Sequence, residues 1–142
     1  MDRGVRTAPE MTRAERRRIS SGGPFEARYG YSRALVAGNA CWVSGTTDAG
    51  ADGRSLHPND PAGQARAVLE IIEAALHEAG FSRHDVVRVR IFTTDIGRSR
   101  AILEVLGERF SAVGPAATIV EVRALIEPSL LVEIEADAVR DP

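Results

Sequence analysis

Residues 115–136 read Pro-Ala-Ala-Thr-Ile-Val-Glu-Val-Arg-Ala-Leu-Ile-Glu-Pro-Ser-Leu-Leu-Val-Glu-Ile-Glu-Ala. Two apolar, β-branched runs flank a polar break, which predicts strands at 117–122 and 130–139 joined by a short loop. In the second run Leu131, Val132, Ile134, Ala136, Ala138 and Val139 do not all fit one side of a strand. Val132 and Ile134 are accordingly expected on opposite faces. A sheet apolar on both sides needs cover on both, and an uncovered half-apolar face implies self-association.

Working back from that stretch, the remaining elements declare themselves by period. Ala34–Ala37 and Ala40–Ser44 flank Gly38-Asn39, a two-residue turn signal, and predict a hairpin. Gly45–Pro58 is polar and glycine-rich, a loop with room for a short strand at Ser55-Leu56. Asp60 and Pro61 open the clearest helix, apolar residues recur at 65, 68, 69, 72, 75, 76 and 79, and Gly80 stops it. Val86–Thr94 reads as a strand with Val87, Val89 and Ile91 on one side and Arg88, Arg90 and Phe92 on the other. A second helix is expected at 98–110, its inward residues Ile102, Val105, Leu106 and Phe110. The fold class is α+β: a single mixed β-sheet with two helices packed on one face.

The 142 residues suit one domain, with 44% apolar residues to fill its core. The expected division is a flexible basic tail at 1–24, with room for one helical turn at 12–18 that has no apolar face to bury, and a domain at 25–142. The first methionine of the cell's own chain is either Met1 or Met11 on this reading. Residues 1–20 carry +3 and the remainder −5, so the body is acidic, which argues against a nucleic-acid partner. No apolar run is long enough for a membrane span and no secretory signal opens the chain, so no membrane partner is expected. The lone Cys41 cannot form an internal disulfide and points to a cytoplasmic setting. All 18 basic residues are arginine, which removes Schiff-base, lysine-base and P-loop chemistry. His57, His77 and His84 are scattered without metal-ligand spacing, so neither a metal nor a cofactor is expected. Cys41 is expected as an inert buried thiol, and Trp42 and Phe92 as core residues.

The closing stretch resembles the Rid family (reactive-intermediate deaminases, also called YjgF-type proteins), whose pattern runs Pro-Ala-Arg-Ser-x-Val-Glu-Val, a loop, then Val-Glu-Ile-Glu-Ala. Tyr31-Ser32-Arg33-Ala34 is similar to the family's Tyr-Ser-Gln-Ala. Gly38-Asn39 with Trp42-Val43-Ser44-Gly45, Gln64-Ala65-Arg66 and Asp85-Val86-Val87-Arg88-Val89 match further motifs in order. The resemblance covers roughly residues 30–139. It implies the chorismate-mutase-like Rid fold and a homotrimer whose sheets form a central barrel, with a ligand cleft at each subunit interface.

In the deaminases the arginine of that pattern grips the carboxylate of a small 2-imino acid, and a glutamate helps to position the attacking water. By correspondence the glutamate is Glu133, the catalytic candidate here. The cleft candidates are Tyr31, Ser32, Arg33, Ala117, Ile119 and Gly97. Two of these depart from the pattern: Ala117 stands where the arginine belongs, and Gly97 where an asparagine belongs. A methyl group donates nothing, and losing a charged bidentate contact costs ~2–5 kcal/mol of anion binding. Arg123 shares the strand face of Ala117 but lies ~20 Å along it, whereas Arg33 borders the pocket segment. The implied function is a trimer that binds or hydrolyses a small metabolite without arginine-dependent deamination. A weak imine deaminase anchored by Arg33 is the first alternative. An RNA-acting or translation-inhibiting protein is the second, supported only by the basic tail. Glu133 and Glu135 share a strand face and are loosely compatible with acid–base work.

Overall fold

The computed structural model describes residues 15–141. Its elements run β1 (Arg16–Ile19), α1 (Pro24–Tyr29), β2 (Ala34–Ala37), β3 (Ala40–Thr46), α2 (Pro61–Glu78), β4 (Val86–Thr93), α3 (Ser99–Phe110), β5 (Ala116–Glu121) and β6 (Val132–Val139). The six strands form one sheet in the order β1-β2-β3-β6-β4-β5. Every neighbouring pair is antiparallel except β4 and β5, which α3 links as a parallel crossover. The α+β class and the single mixed sheet stand as expected, with one more strand and one more helix.

Strand β6 lies inside the sheet, and α2 packs over it and β3. Its even-numbered residues Val132, Ile134, Ala136 and Ala138 are all buried beneath the helices, joined by Val89 and Ile91 of β4 and Cys41 and Val43 of β3. Val132 and Ile134 therefore share a face, because residues two apart on a strand point the same way; the expectation that they diverge is corrected. Of the odd-numbered residues, Glu133, Glu135 and Asp137 are half-buried on the other face and Val139 at the strand end is exposed. That face is thus acidic along β6 rather than half-apolar. Arg90 of β4 answers it, with Nη1 3.2 Å from Glu135 Oε1 and 3.4 Å from Asp137 Oδ2. Its apolar character sits on the neighbouring strands, where Leu35 pairs with Trp42, and Trp42 is 46% exposed instead of lying in the core.

Helix α2 starts where the sequence marks it. The Asp60 carboxylate accepts a hydrogen bond from the Gly63 backbone N–H (2.9 Å), and Pro61 opens the first turn. The stop is Gly80 at φ 83°. Gln64 is fully buried in this helix, yet all its polar atoms are used. Its Nε2 donates to the His57 and Ser129 carbonyls, and its Oε1 accepts from the Leu131 N–H at 2.7 Å. It thereby ties the 45–58 loop to the start of β6. The short strand expected at Ser55-Leu56 reduces to one bridge, Ala49 to Ser55.

Three local differences have physical causes. Arg16–Ile19, expected in the tail, is an edge strand paired with β2, and Ile19 enters the core. Arg17 Nη2 also donates to the Ala79 carbonyl at 2.7 Å, satisfying the exposed end of α2. The basic segment is held by partner backbone rather than by an apolar pattern of its own. Residues 12–14 of the suggested helical turn lie outside the described residues. Next, α1 follows at once, opened by Pro24 and closed by Gly30 at φ 75°. Finally, a bulge between Val86 and Arg88 turns Val87 outward, so Val86 rather than Val87 joins Val89 in the core.

Candidate functional site

The candidate residues separate into two groups. Tyr31, Ser32 and Arg33 lead into β2 and lie beside the end of β3. Ser44 N–H donates to the Arg33 carbonyl (3.0 Å), and Ser44 Oγ donates to the Ser32 carbonyl (2.6 Å). At Gly45 the β3–β6 register slips between Val43 and Thr46, which brings the Gly45 backbone against Glu133. A Cβ at position 45 would stand 2.5 Å from Glu133 Oε1, so only glycine lets the carboxylate lie there. Arg33 Nη2 donates to the Gly45 carbonyl at 2.7 Å. Arg33, Gly45 and Glu133 thus form one small constellation.

Ala117, Ile119 and Gly97 are elsewhere. Ala117 is level with Val89, on the helix-covered side of the sheet, and exposed because β5 is the edge strand. Glu133 is level with Phe92, on the opposite side. Ile119 is partly buried and packs against the hydrophobic core. Gly97 sits in the turn before α3, where its N–H donates to Asp95 Oδ1 at 3.1 Å. Within one chain, then, the residue at 117 cannot meet Glu133.

Glu133 opens into a cavity of about 410 Å3. Phe92, Val122, Ala124 and Leu125 supply its apolar walls, and among the described residues its ionisable side chains are Glu133 and Glu135. Phe92 therefore lines this cavity and is not part of the buried core. Burial pushes the Glu133 carboxyl above its ordinary value; the Arg33 guanidinium opposes this, and Glu135 adds to it. Burial also pulls Arg33 below its ordinary value, against Glu26, Tyr31 and Glu133. Arg33 borders neither this cavity nor the larger one on the sheet, and its Nε is buried without a partner. The larger concavity, about 1060 Å3, lies over β1, β2 and β3 and includes Tyr31, Ser32, Trp42 and Arg90.

Elsewhere, His57 Nδ1 lies 3.0 Å from the buried Asp48 carboxylate, which Ser55 Oγ also reaches at 2.7 Å. Burial raises the Cys41 thiol above its ordinary value, as expected of an unreactive cysteine. Among the described residues no three His, Cys, Asp or Glu side chains gather to hold a metal. No helix among them is long and apolar enough to cross a membrane.

The family described as Endoribonuclease L-PSP matches residues 23–140. The chain belongs to this family, also known as the Rid or YjgF family. A solved Mycobacterium tuberculosis member of the YjgF/YER057c/UK114 family is 47% identical and covers 89% of this chain and 100% of its own, with a TM-score of 0.81. A RutC family protein of Pyrococcus horikoshii is 35% identical over 111 residues, 78% of this chain and 87% of the relative. An uncharacterised Streptomyces coelicolor protein is 31% identical over 130 residues, 92% of this chain and 96% of the relative. The Rid fold therefore accounts for the sheet order and for the placement of Tyr31, Ser32 and Glu133. Gly45 and Phe92 were legible as motif and strand residues, but their roles depend on the register slip and on which face is uncovered.

Proposed function

We propose that this Rid-family protein is a homotrimer that binds a small neutral or cationic metabolite in clefts built around Glu133, without arginine-dependent hydrolysis of 2-imino acids. The observation that carries this is the composition of the Glu133 cavity: two carboxylates, apolar walls and no basic side chain. A carboxylate ligand entering it meets like charge in a partly desolvated space, which disfavours binding. Trimerisation, which the family resemblance implies, gives the uncovered sheet face a partner. It would also be the way a residue at position 117 meets a Glu133, across a subunit boundary. Every copy carries Ala117, so no neighbour supplies the missing guanidinium.

A weak deaminase anchored by Arg33 is the second reading, favoured by the proximity of Arg33 to Glu133 and by its unpartnered Nε. Against it, Arg33 Nη2 is bonded to the Gly45 carbonyl and the side chain borders neither concavity. An assay that couples 2-aminoacrylate production by a dehydratase to this protein decides between them. The expected result is no acceleration of imine hydrolysis. Acceleration abolished by Arg33→Ala would establish the second reading. Light scattering at the monomer mass of 15.3 kDa would remove the trimer.

A further inference from the structure

Resting on the reading of the Glu133 cleft as the ligand site, the structure points to a class of ligand. Glu135, one of the two acids in the cavity, is already engaged by Arg90 at 3.2 Å. Glu133 makes no ion pair with a described residue, and Arg33, whose charge acts on its carboxyl, donates to the Gly45 carbonyl. An ionised carboxylate is an acceptor with no proton to give, so a half-buried one calls for donors or a cation from the ligand. Around it stand Phe92, Val122, Ala124 and Leu125, which offer apolar contact and no hydrogen bonds from their side chains. At about 410 Å3 the cavity lies in the range of small-molecule sites.

We propose that this cavity binds a small protonated amine with a compact apolar substituent, its ammonium on Glu133 and its hydrocarbon against Phe92 and Leu125. Glycine at 45 leaves the room that the carboxylate occupies, since a Cβ there would stand 2.5 Å from Glu133 Oε1, and both residues line the cavity. Phe92 adds an aromatic surface next to the bound cation, where its ring quadrupole reinforces the carboxylate. A free carboxylate ligand is repelled and a neutral amide leaves Glu133 without a counter-charge, so the site discriminates by charge at nearly constant shape.

Three probes that share one branched four-carbon skeleton and differ in the charge of the head group test this on the full-length protein: isobutylamine, isobutyramide and isobutyrate. Binding is followed by calorimetry and by amide shifts of Gly45 and Glu133. The amine is expected to bind at least ~10-fold more tightly than the amide, with no binding of the carboxylate, and to move the Gly45 and Glu133 signals. Glu133→Gln, which keeps the shape and removes the charge, should cost the amine ~10-fold or more and leave the amide unchanged. Amine binding should also weaken as pH falls through the Glu133 carboxyl range. If the amide or the carboxylate binds at Gly45 and Glu133 as tightly as the amine, the amine assignment is overturned while the cleft remains the ligand site. If none of the three moves those signals, the cleft reading falls and the amine assignment falls with it. Unchanged circular dichroism of Glu133→Gln confirms that the variant reports on the site and not on folding.

Discussion

The two faces of β6 are built from the same eight residues and do opposite things. The even positions, Val132 to Ala138, are apolar and at most 1% exposed beneath the helices. The odd positions Glu133, Glu135 and Asp137 carry three acids on the opposite face, where α1 contributes only Glu26 and Ala27 to the rim of a concavity. Period-two alternation lets one strand anchor the core and present the chemistry without either role constraining the other. The site inherits rigidity from the core because each acid is flanked by two locked neighbours. The lesson is that substitution effects here should depend on parity more than on residue type.

The strongest test of that division is a matched pair. Ile134→Asp places an unpaired charge under α2 and is expected to cost more than ~4 kcal/mol, unfolding the domain in urea titrations. Glu135→Ala, one residue on, removes a partly exposed ion pair and should cost at most ~1 kcal/mol. Comparable losses at both positions would break the two-face description.

Gln64→Leu is expected to come next. It leaves the Leu131 N–H and the His57 and Ser129 carbonyls without their partner, at ~1–3 kcal/mol for each group that water cannot reach. A thermal melt unchanged from the wild type would show that the 45–58 loop is not tied to β6 through this side chain.

Deleting the chain through Ile19 tests where the covered face ends. It removes a buried isoleucine and the Arg17 bonds to the end of α2, and a loss of ~2–5 kcal/mol is expected. Stability equal to that of the full chain would return residues 16–24 to the basic tail.

The smallest effect belongs to the open face. The Glu133 carboxyl is raised above its ordinary value, so the folded state holds its proton more tightly than the unfolded one. Its contribution is fully present below the unfolded value of ~4.3 and is lost as pH rises through the higher folded value. Glu133→Gln should therefore be slightly more stable than the wild type at neutral pH, and the gap should close near pH 4. A gap that widened on acidification would show that Glu133 is stabilised as an anion.

Legibility in the sequence followed the same division. Helix α2 could be read from Asp60, Pro61, its apolar stripe and Gly80, because each signal acts within the segment itself. The alternation of β6 was present in its residues, yet Leu131 and Val139 at its ends obscured the parity of the buried set. Strand β1 gave no such signal: its pairing is dictated by the backbone of β2, and a run of three arginines reads as solvated. Helix α1 left two marks, Pro24 and Gly30, too close together to suggest more than a turn. For the site, Glu133 and Tyr31 came from the family pattern. Gly45's contact with Glu133 and Val87's outward turn arise from register slips, which no periodicity announces.

The 2.5 Å approach between a Cβ at 45 and Glu133 Oε1 has a further consequence for how this chain can vary over time. A side chain at position 45 needs the Glu133 carboxylate to turn aside, so a larger residue at 45 and the present seat of that carboxylate exclude each other. A descendant carrying alanine at 45 is expected to carry either a re-aimed glutamate or a smaller residue at 133.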